Sequence, residues 1–204
     1  MRGFNVDSMS SEIFKDADKI VPCTPAIALI KPKFAHNLGV VVRAASCFDV
    51  SQIWFTGNRI AKDLETKSRI PREERMKGYK DVSMIQCDYF WDRFKKIKCT
   101  PVAIEITDSS ELLTDFEHPE DALYVFGPED GSIDSMNLRF CHRFVSIPSN
   151  HCLNLSAAVS IVLADRKMKR QRAGLEERKA AFEMLKEDRG LAQTENKKPE
   201  FVRV

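Results

Sequence analysis

A chain of 204 residues with 43% hydrophobic and 30% charged residues is large enough to bury one substantial core and polar enough to stay soluble. The formal net charge is only +2, no apolar run approaches the roughly 18 residues of a membrane span, and Met1–Lys19 carries acidic groups without an apolar segment. The sequence thus predicts neither a transmembrane helix nor a secretory signal, and we expect a cytoplasmic protein.

Strands and helices are predicted to alternate along the chain. The predicted strands are Ala26–Ile30, Gln52–Thr56, Val82–Ile85, Pro101–Ile106, Ala122–Phe126 and Phe144–Ile147, and the predicted helices are His36–Phe48, Tyr89–Ile97, Asp134–Phe140, Leu155–Met168 and Leu175–Arg189. The charged stretch Asn58–Lys80 shows no clear period. This alternation predicts an α/β fold with a mainly parallel sheet covered by helices on both faces.

Three parts of the chain are expected to differ in role. Residues 1–25 form an N-terminal extension, 26–170 the main domain, and 171–204 a basic helix with a polar tail. Ligands of parallel sheets bind at the carboxyl ends of strands, so we expect the functional loops to follow Ile106, Phe126 and Ile147.

The six cysteines include no Cys-x-x-Cys pair, and a chain of this size does not need disulfides to fold. Cys141-His142 and His151-Cys152 offer four possible zinc ligands. Because adjacent residues of a strand point to opposite faces, these ligands would be scattered, and we expect reduced thiols and no metal site.

The first segment with chemical character is Asn37-Leu-Gly39-Val-Val-Val-Arg43, within the first predicted helix. A cation among so many apolar neighbours must be paired, reach the surface along its aliphatic stem, or face a site. A purely structural arginine is the competing interpretation.

Two further segments follow predicted strands. Phe126-Gly127-Pro-Glu129-Asp-Gly131 is a glycine-containing turn that matches neither the phosphate-binding Gly-Lys-Ser/Thr ending nor Gly-x-Gly-x-x-Gly. Ile147-Pro148 leads through a polar loop to Cys152, Leu153, Asn154 and Ser156, where a helix rich in small residues begins. Asn154 and Ser156 are equally suited to simple helix capping.

In this order the three segments resemble motifs 1, 2 and 3 of the SpoU/TrmH branch of the SPOUT methyltransferases, over about Ile27 to Lys167. The glycine at 131 stands one residue earlier than is common in motif 2 of that family. The resemblance implies a C-terminal deep trefoil knot, a homodimer with a shared active site, and methyl transfer from S-adenosylmethionine to an RNA ribose 2′-hydroxyl.

The resemblance also implies site residues. Arg43 is the catalytic candidate, supported by Asn37, Glu129, Asn154 and Ser156. The cofactor would be held largely through backbone groups of the loops containing Ile104, Glu105, Phe126, Gly127, Gly131, Ile147, Pro148, Cys152, Leu153 and Asn154.

Two basic segments suggest where RNA would bind. Residues 58–80 hold eight Lys/Arg against four Asp/Glu, and 165–204 hold twelve against eight. They suit a polyanion such as RNA, with Arg43, Arg69, Arg72 and Arg75 as candidate contacts, but solvated helices of mixed charge explain them equally well.

We expect tRNA over ribosomal RNA as the substrate. Methylation of a nucleobase and RNA binding without catalysis, on the same fold, are the competing functions.

Overall fold

The computed structural model of the protein describes residues 14–67 and 81–176. The strands are β1 Phe14–Asp16, β2 Ala26–Leu29, β3 Gln52–Phe55, β4 Ser83–Gln86, β5 Thr100–Ile104, β6 Glu111–Leu112, β7 Ala122–Phe126 and β8 Arg143–Ser146. The α-helices are α1 Ala35–Cys47, α2 Arg59–Lys67, α3 Trp91–Phe94, α4 Ser135–Leu138 and α5 Leu155–Arg172, and Ala17–Lys19 forms a 3₁₀ turn.

All eight strands join one parallel sheet in the order β1-β4-β3-β2-β7-β5-β8-β6. The central strands β2 and β7 pair in register from Ala26 opposite Leu123 to Leu29 opposite Phe126. The predicted α/β class with a mainly parallel sheet is confirmed. The carboxyl ends of β5, β7 and β8 are neighbours at one edge.

The core lies on both faces of the sheet. Alternate residues of the central strands, such as Ile27 and Leu29, pack with α1 and α5 in one buried cluster. The intervening residues, such as Ala28 and Val125, pack with α3 in a second cluster. Because side chains of a strand alternate between faces, strands covered on both sides are continuously apolar.

Three described elements were not predicted. Strands β1 and β6 contain three and two residues, too few to show a periodic pattern. Helix α2 lies in the stretch without a clear period; Ile60, 1% exposed, is its described contact with the core. Helix α3 is shorter than predicted, whereas α5 continues to Arg172. The predicted helix Leu175–Arg189 lies largely outside the described residues.

The chain divides into two compact units, residues 1–167 and 168–204. The sheet and the described loops at its carboxyl edge belong to the first unit. No helix within 14–67 or 81–176 is long and apolar enough to cross a membrane.

Candidate functional site

A cavity of about 370 Å³ opens at the carboxyl edge of the sheet, where sequence analysis places the functional loops. It is lined by Ile104, Glu105, Ile106, Phe126, Gly127, Pro128, Glu129, Gly131, Ser132, Val145, Ser146, Ile147, Ser149, Cys152, Leu153, Leu155 and Ala158. The loops after β5, β7 and β8 therefore contribute to one pocket.

The turn after β7 is packed tightly against itself. A Cβ atom added at Gly127 would lie 3.1 Å from the backbone nitrogen of Ile133 and 3.3 Å from the carbonyl carbon of Ser132. At Gly131 the nearest atom would be Pro128 Cγ at 3.7 Å, an ordinary contact. Gly127 thus permits a close approach of two backbone segments, whereas Gly131 has room for a side chain.

A carboxylate holds this turn against the neighbouring loop. Glu105 Oε2 accepts a hydrogen bond from the backbone nitrogen of Ile133 at 2.9 Å, and Oε1 accepts one from that of Ile106 at 3.1 Å. Glu105 therefore connects the loops after β5 and β7 at the wall of the pocket.

A chain of hydrogen bonds joins the three segments singled out in the sequence. Asn37 Nδ2 donates to Glu129 Oε1 at 2.7 Å, and Asn154 Nδ2 donates to Asn37 Oδ1 at 3.0 Å. The hydroxyl and backbone nitrogen of Ser156 both donate to Asn154 Oδ1, at 2.7 and 2.9 Å. Asn37 is 1% exposed and stands at the centre of the chain.

The start of α1 is held by carboxylates from elsewhere in the chain. Its N-cap residue Phe34 makes no side-chain capping bond. Glu129 accepts hydrogen bonds from the backbone nitrogens of Lys33 and Phe34 at 2.7 and 3.3 Å, and Asp63 accepts one from that of Ala35 at 2.8 Å. Negative charge at a helix N-terminus is favourable, so these contacts fix both the position of α1 and that of Asn37.

The structure brings together most of the predicted site. Eight of the ten predicted cofactor residues line the pocket, while Pro148 and Asn154 do not. Glu129 belongs to both pocket and hydrogen-bond chain. Asn37, Asn154 and Ser156 are joined to it through that chain.

Arg43 is not brought into the pocket of its own chain. It lies on the exposed side of α1, and it is not among the residues lining the cavity. Six residues of helix separate it from Asn37, a rise of about 9 Å and a rotation of about 240°. A shared α-helix therefore does not place Asn37 and Arg43 on the same face.

Sequence reasoning missed two groups of residues. Asp63 caps α1 from a stretch that looked merely charged, and no sequence signal connects it to Ala35. Ser132, Ser149, Leu155 and Ala158 line the pocket. They lie within or directly beside the second and third segments but were not named individually as site residues.

Several cations of the basic segments are engaged within the chain. The Arg59 guanidinium bonds to Asp130, as does the ammonium of Lys33 from outside these segments, and the two cations hold the pKa of that carboxyl well below its usual range. Lys167 pairs with Asp49, and Arg166, 6% exposed, donates to the carbonyls of Pro119 and Glu120. Arg69, Arg72 and Arg75 lie outside the described residues.

All six cysteines are free thiols. Burial raises the pKa of Cys141 to about 12, so this thiol stays protonated at neutral pH. Across the described segments, no group of three or more His, Cys, Asp or Glu residues is placed to hold a metal ion.

The fold is similar to solved structures at low identity. An rRNA methyltransferase from Sinorhizobium meliloti is 17% identical with a TM-score of 0.61, covering 76% of this chain and 61% of that one. The SpoU methyltransferase AviRb from Streptomyces viridochromogenes, in complex with AdoMet, is 16% identical with a TM-score of 0.61, covering 78% and 66%. This chain thus spans less than two thirds of either protein.

A third structure matches over nearly its whole length. The TrmH/SpoU tRNA modifying enzyme of A. aeolicus is 17% identical with a TM-score of 0.62, and the match covers 91% of this chain and 93% of that one. A search of curated proteins found no match.

Residues 25–164 match the model of the SpoU rRNA Methylase family. The match includes the three segments, the hydrogen-bond chain between them and the pocket, so the resemblance read from the motifs is confirmed. The chain belongs to the SpoU rRNA methylase family.

Proposed function

We propose that this protein transfers a methyl group from S-adenosylmethionine to a ribose 2′-hydroxyl of RNA, with tRNA as the substrate class. The observation that carries the proposal is the hydrogen-bond chain Glu129–Asn37–Asn154–Ser156 beside the pocket. It joins residues distant in sequence into one polar constellation, which simple helix capping at each position would not require.

The pocket suits a cofactor of this kind. Its volume falls within the roughly 300–1,000 Å³ of typical small-molecule sites. Apolar side chains of Ile104, Phe126, Ile147 and Leu153 would pack on the adenine, and the loop backbones would supply hydrogen bonds. When bound, the cofactor supplies a methyl group already activated on a sulfonium.

Arg43 would act on the RNA. A guanidinium remains protonated in proteins and cannot accept a proton, but its planar fork can bind the phosphate beside the target ribose in a bidentate manner. That contact would hold the hydroxyl in line for transfer, and the positive charge would favour loss of its proton.

A homodimer is part of the proposal, because Arg43 lies outside the pocket of its own chain. A second protomer could bring its Arg43 to this pocket. The exposed side of α5 carries Ala157, Ser160 and Ile161, the last 38% exposed, and small side chains allow close packing of helices. We also propose that the loops around the pocket form the trefoil knot of the family.

The preference for tRNA rests on how much of two solved structures this chain matches. The tRNA modifying enzyme of A. aeolicus is matched over nearly its whole length, whereas this chain spans much less of the rRNA methyltransferase from S. meliloti. The family description names rRNA, so ribosomal RNA is the second candidate substrate.

The test is methyl transfer in vitro, followed by mapping of the product. Purified protein, S-adenosylmethionine labelled in the methyl group, and either unmodified total tRNA or ribosomal RNA are combined. Digestion to nucleosides and mass analysis then locate the label. Label on the ribose of a tRNA nucleoside is expected. Label on a base would contradict 2′-O transfer, and label in ribosomal RNA alone would contradict the tRNA preference.

Absence of transfer to either RNA, with the cofactor still bound, would favour a non-catalytic RNA-binding protein. A folded protein that binds RNA but gives no calorimetric heat with S-adenosylmethionine would contradict the enzymatic proposal at its first step.

A further inference from the structure

The charged side chains of the pocket are all of one sign. Among the residues that line it in the described part of the chain, Glu105 and Glu129 carry carboxylates, and none is a lysine, arginine or histidine. Serine hydroxyls, glycines and apolar side chains complete the wall, apart from the thiol of Cys152. The charged groups that the pocket's own chain can present to a ligand therefore supply negative charge.

Both carboxylates are held by neutral donors. Glu105 accepts hydrogen bonds from two backbone nitrogens, and Glu129 from two backbone nitrogens and the amide of Asn37. These donors are dipoles, which fix the carboxylates in place without cancelling their charge.

The cations near the pocket pair with other acids. Lys33 and Arg59 bond to Asp130, and Lys31 lies 3.9 Å from Asp134. Asp130 and Asp134 do not line the pocket. The pKa of Arg59 is raised chiefly by its bond to Asp130 and to a lesser degree by the charge of Glu129. The charge of Glu129 is therefore partly offset by this neighbouring cation, and Glu105 is the carboxylate better suited to a test.

We propose that Glu105 and Glu129 make the pocket select the cationic methyl donor over its demethylated product; this rests on the function proposed above. Transfer breaks the bond between sulfur and the methyl carbon and forms one between that carbon and the ribose oxygen. The electron pair of the broken bond stays on sulfur, and the hydroxyl proton passes to solvent. The ligand therefore changes from sulfonium to neutral thioether.

Donor and product differ by one methyl group and one unit of charge. A pocket wall with two carboxylates attracts the sulfonium and loses that attraction when the charge is gone. Glu105 and Glu129 thus act as specificity residues that favour loading of the donor and release of the product.

The experiment compares two ligands on three proteins by titration calorimetry. S-adenosylmethionine and S-adenosylhomocysteine are titrated into the wild type, Glu105→Gln and Asp134→Asn. Asp134→Asn is the matched control, since it removes a carboxylate that lies outside the pocket beside Lys31, and asparagine still caps α4. Circular dichroism checks that each variant is folded.

Glu105→Gln is expected to lower the ratio of donor to product affinity about tenfold, the order of one charge–charge interaction at a partly solvated site. Affinity for the product should change little, and Asp134→Asn should keep the wild-type ratio. An equal loss for both ligands would mean that Glu105 only shapes the turn, and an unchanged ratio in a folded variant would likewise overturn the inference.

The wild type carries a second test that does not depend on the variant folding. Raising the salt concentration from about 20 to 500 mM should weaken binding of the donor more than that of the product, because salt screens partly exposed charges. If salt weakens the binding of donor and product equally, the charge selectivity is wrong but the proposed function still stands. Failure of the wild type to bind the donor at all would contradict the proposed function as well.

Discussion

At the scale of single residues, Asn37 has the most demanding position. Its amide nitrogen donates to Glu129 and its amide oxygen accepts from Asn154, so both ends of a side chain only 1% exposed are used. Aspartate would replace the donor by an acceptor, and leucine would remove one hydrogen bond from each partner. Asparagine is therefore specified by hydrogen bonding and by the charge of Glu129 together.

Replacing Asn37 by alanine should lower the free energy of unfolding by about 2–3 kcal/mol, because Glu129 and Asn154 each lose a partner in a partly buried site. Urea denaturation measures this. Cys47→Ala, an exposed change on the same helix, is the control and should stay within about 0.5 kcal/mol of the wild type. Equal stability of the two variants would show that the hydrogen-bond chain contributes nothing to folding.

A second variant, Asn37→Asp, tests the contact between residue 37 and Glu129 directly. The new carboxylate would face Glu129 Oε1 across the present 2.7 Å contact, and like charges at that distance repel. The variant should gain stability relative to Asn37→Ala as the pH falls toward about 4, where carboxyls take up protons. A pH-independent difference would contradict the assigned contact.

Arg43 has its proposed role in the reaction and not in cofactor binding, so its loss should lower kcat and leave affinity for S-adenosylmethionine nearly unchanged. Arg43→Lys keeps the charge but loses the planar fork, and a decrease of about 100-fold or more is expected for a transition-state contact. Single-turnover methylation and calorimetry measure the two quantities. Near wild-type rates in a folded Arg43→Ala protein would exclude the proposed role.

At the scale of elements, the turn from β7 to α4 depends on Gly127. In Gly127→Ala the added Cβ would meet the backbone of Ser132 and Ile133, which cannot rotate away as a flexible side chain could. We expect a loss of about 1–3 kcal/mol in stability and weaker cofactor binding, since Gly127 and Ser132 both line the pocket.

Gly131→Ala is the matched control in the same turn, because its nearest contact is an ordinary one at 3.7 Å. Its stability should lie within about 0.5 kcal/mol of the wild type. Thermal and urea unfolding of both variants measure this difference in stability. A Gly127→Ala protein as stable as Gly131→Ala would show that the turn adapts without cost.

The elements also show what the sequence could predict. The longer strands and α1 were found because their apolar residues form continuous or periodic runs, and the pocket was located because parallel strands end at a common edge. Short strands such as β6 carry no such pattern. The contacts of Asp63 with Ala35 and of Glu105 with Ile133 depend on how distant loops meet, which no local pattern encodes.

At the scale of the whole molecule, the proposal that two protomers share each active site can be tested by complementation. Arg43→Ala and Asn154→Ala should each be inactive as homodimers. If Arg43 serves the partner's pocket, each mixed dimer contains one intact site. Random exchange of protomers in a symmetric dimer should then restore roughly one quarter of wild-type activity.

The measurement is methyl transfer after the two variants are unfolded together and refolded, with each variant refolded alone as the control. Sedimentation of the wild type checks that dimers form at micromolar concentration. No recovery in a mixture that sediments as dimers would place Arg43 and Asn154 in the same chain's site.

One end of the sheet restricts how protomers can associate. Strand β6, the outermost described strand at that end, contains the two residues Glu111 and Leu112. An edge this short offers few free backbone groups to another strand. Joining two sheets through β6 into a continuous one would therefore gain few hydrogen bonds. Two protomers that associate at this end should do so through helices and loops and not by extending the sheet.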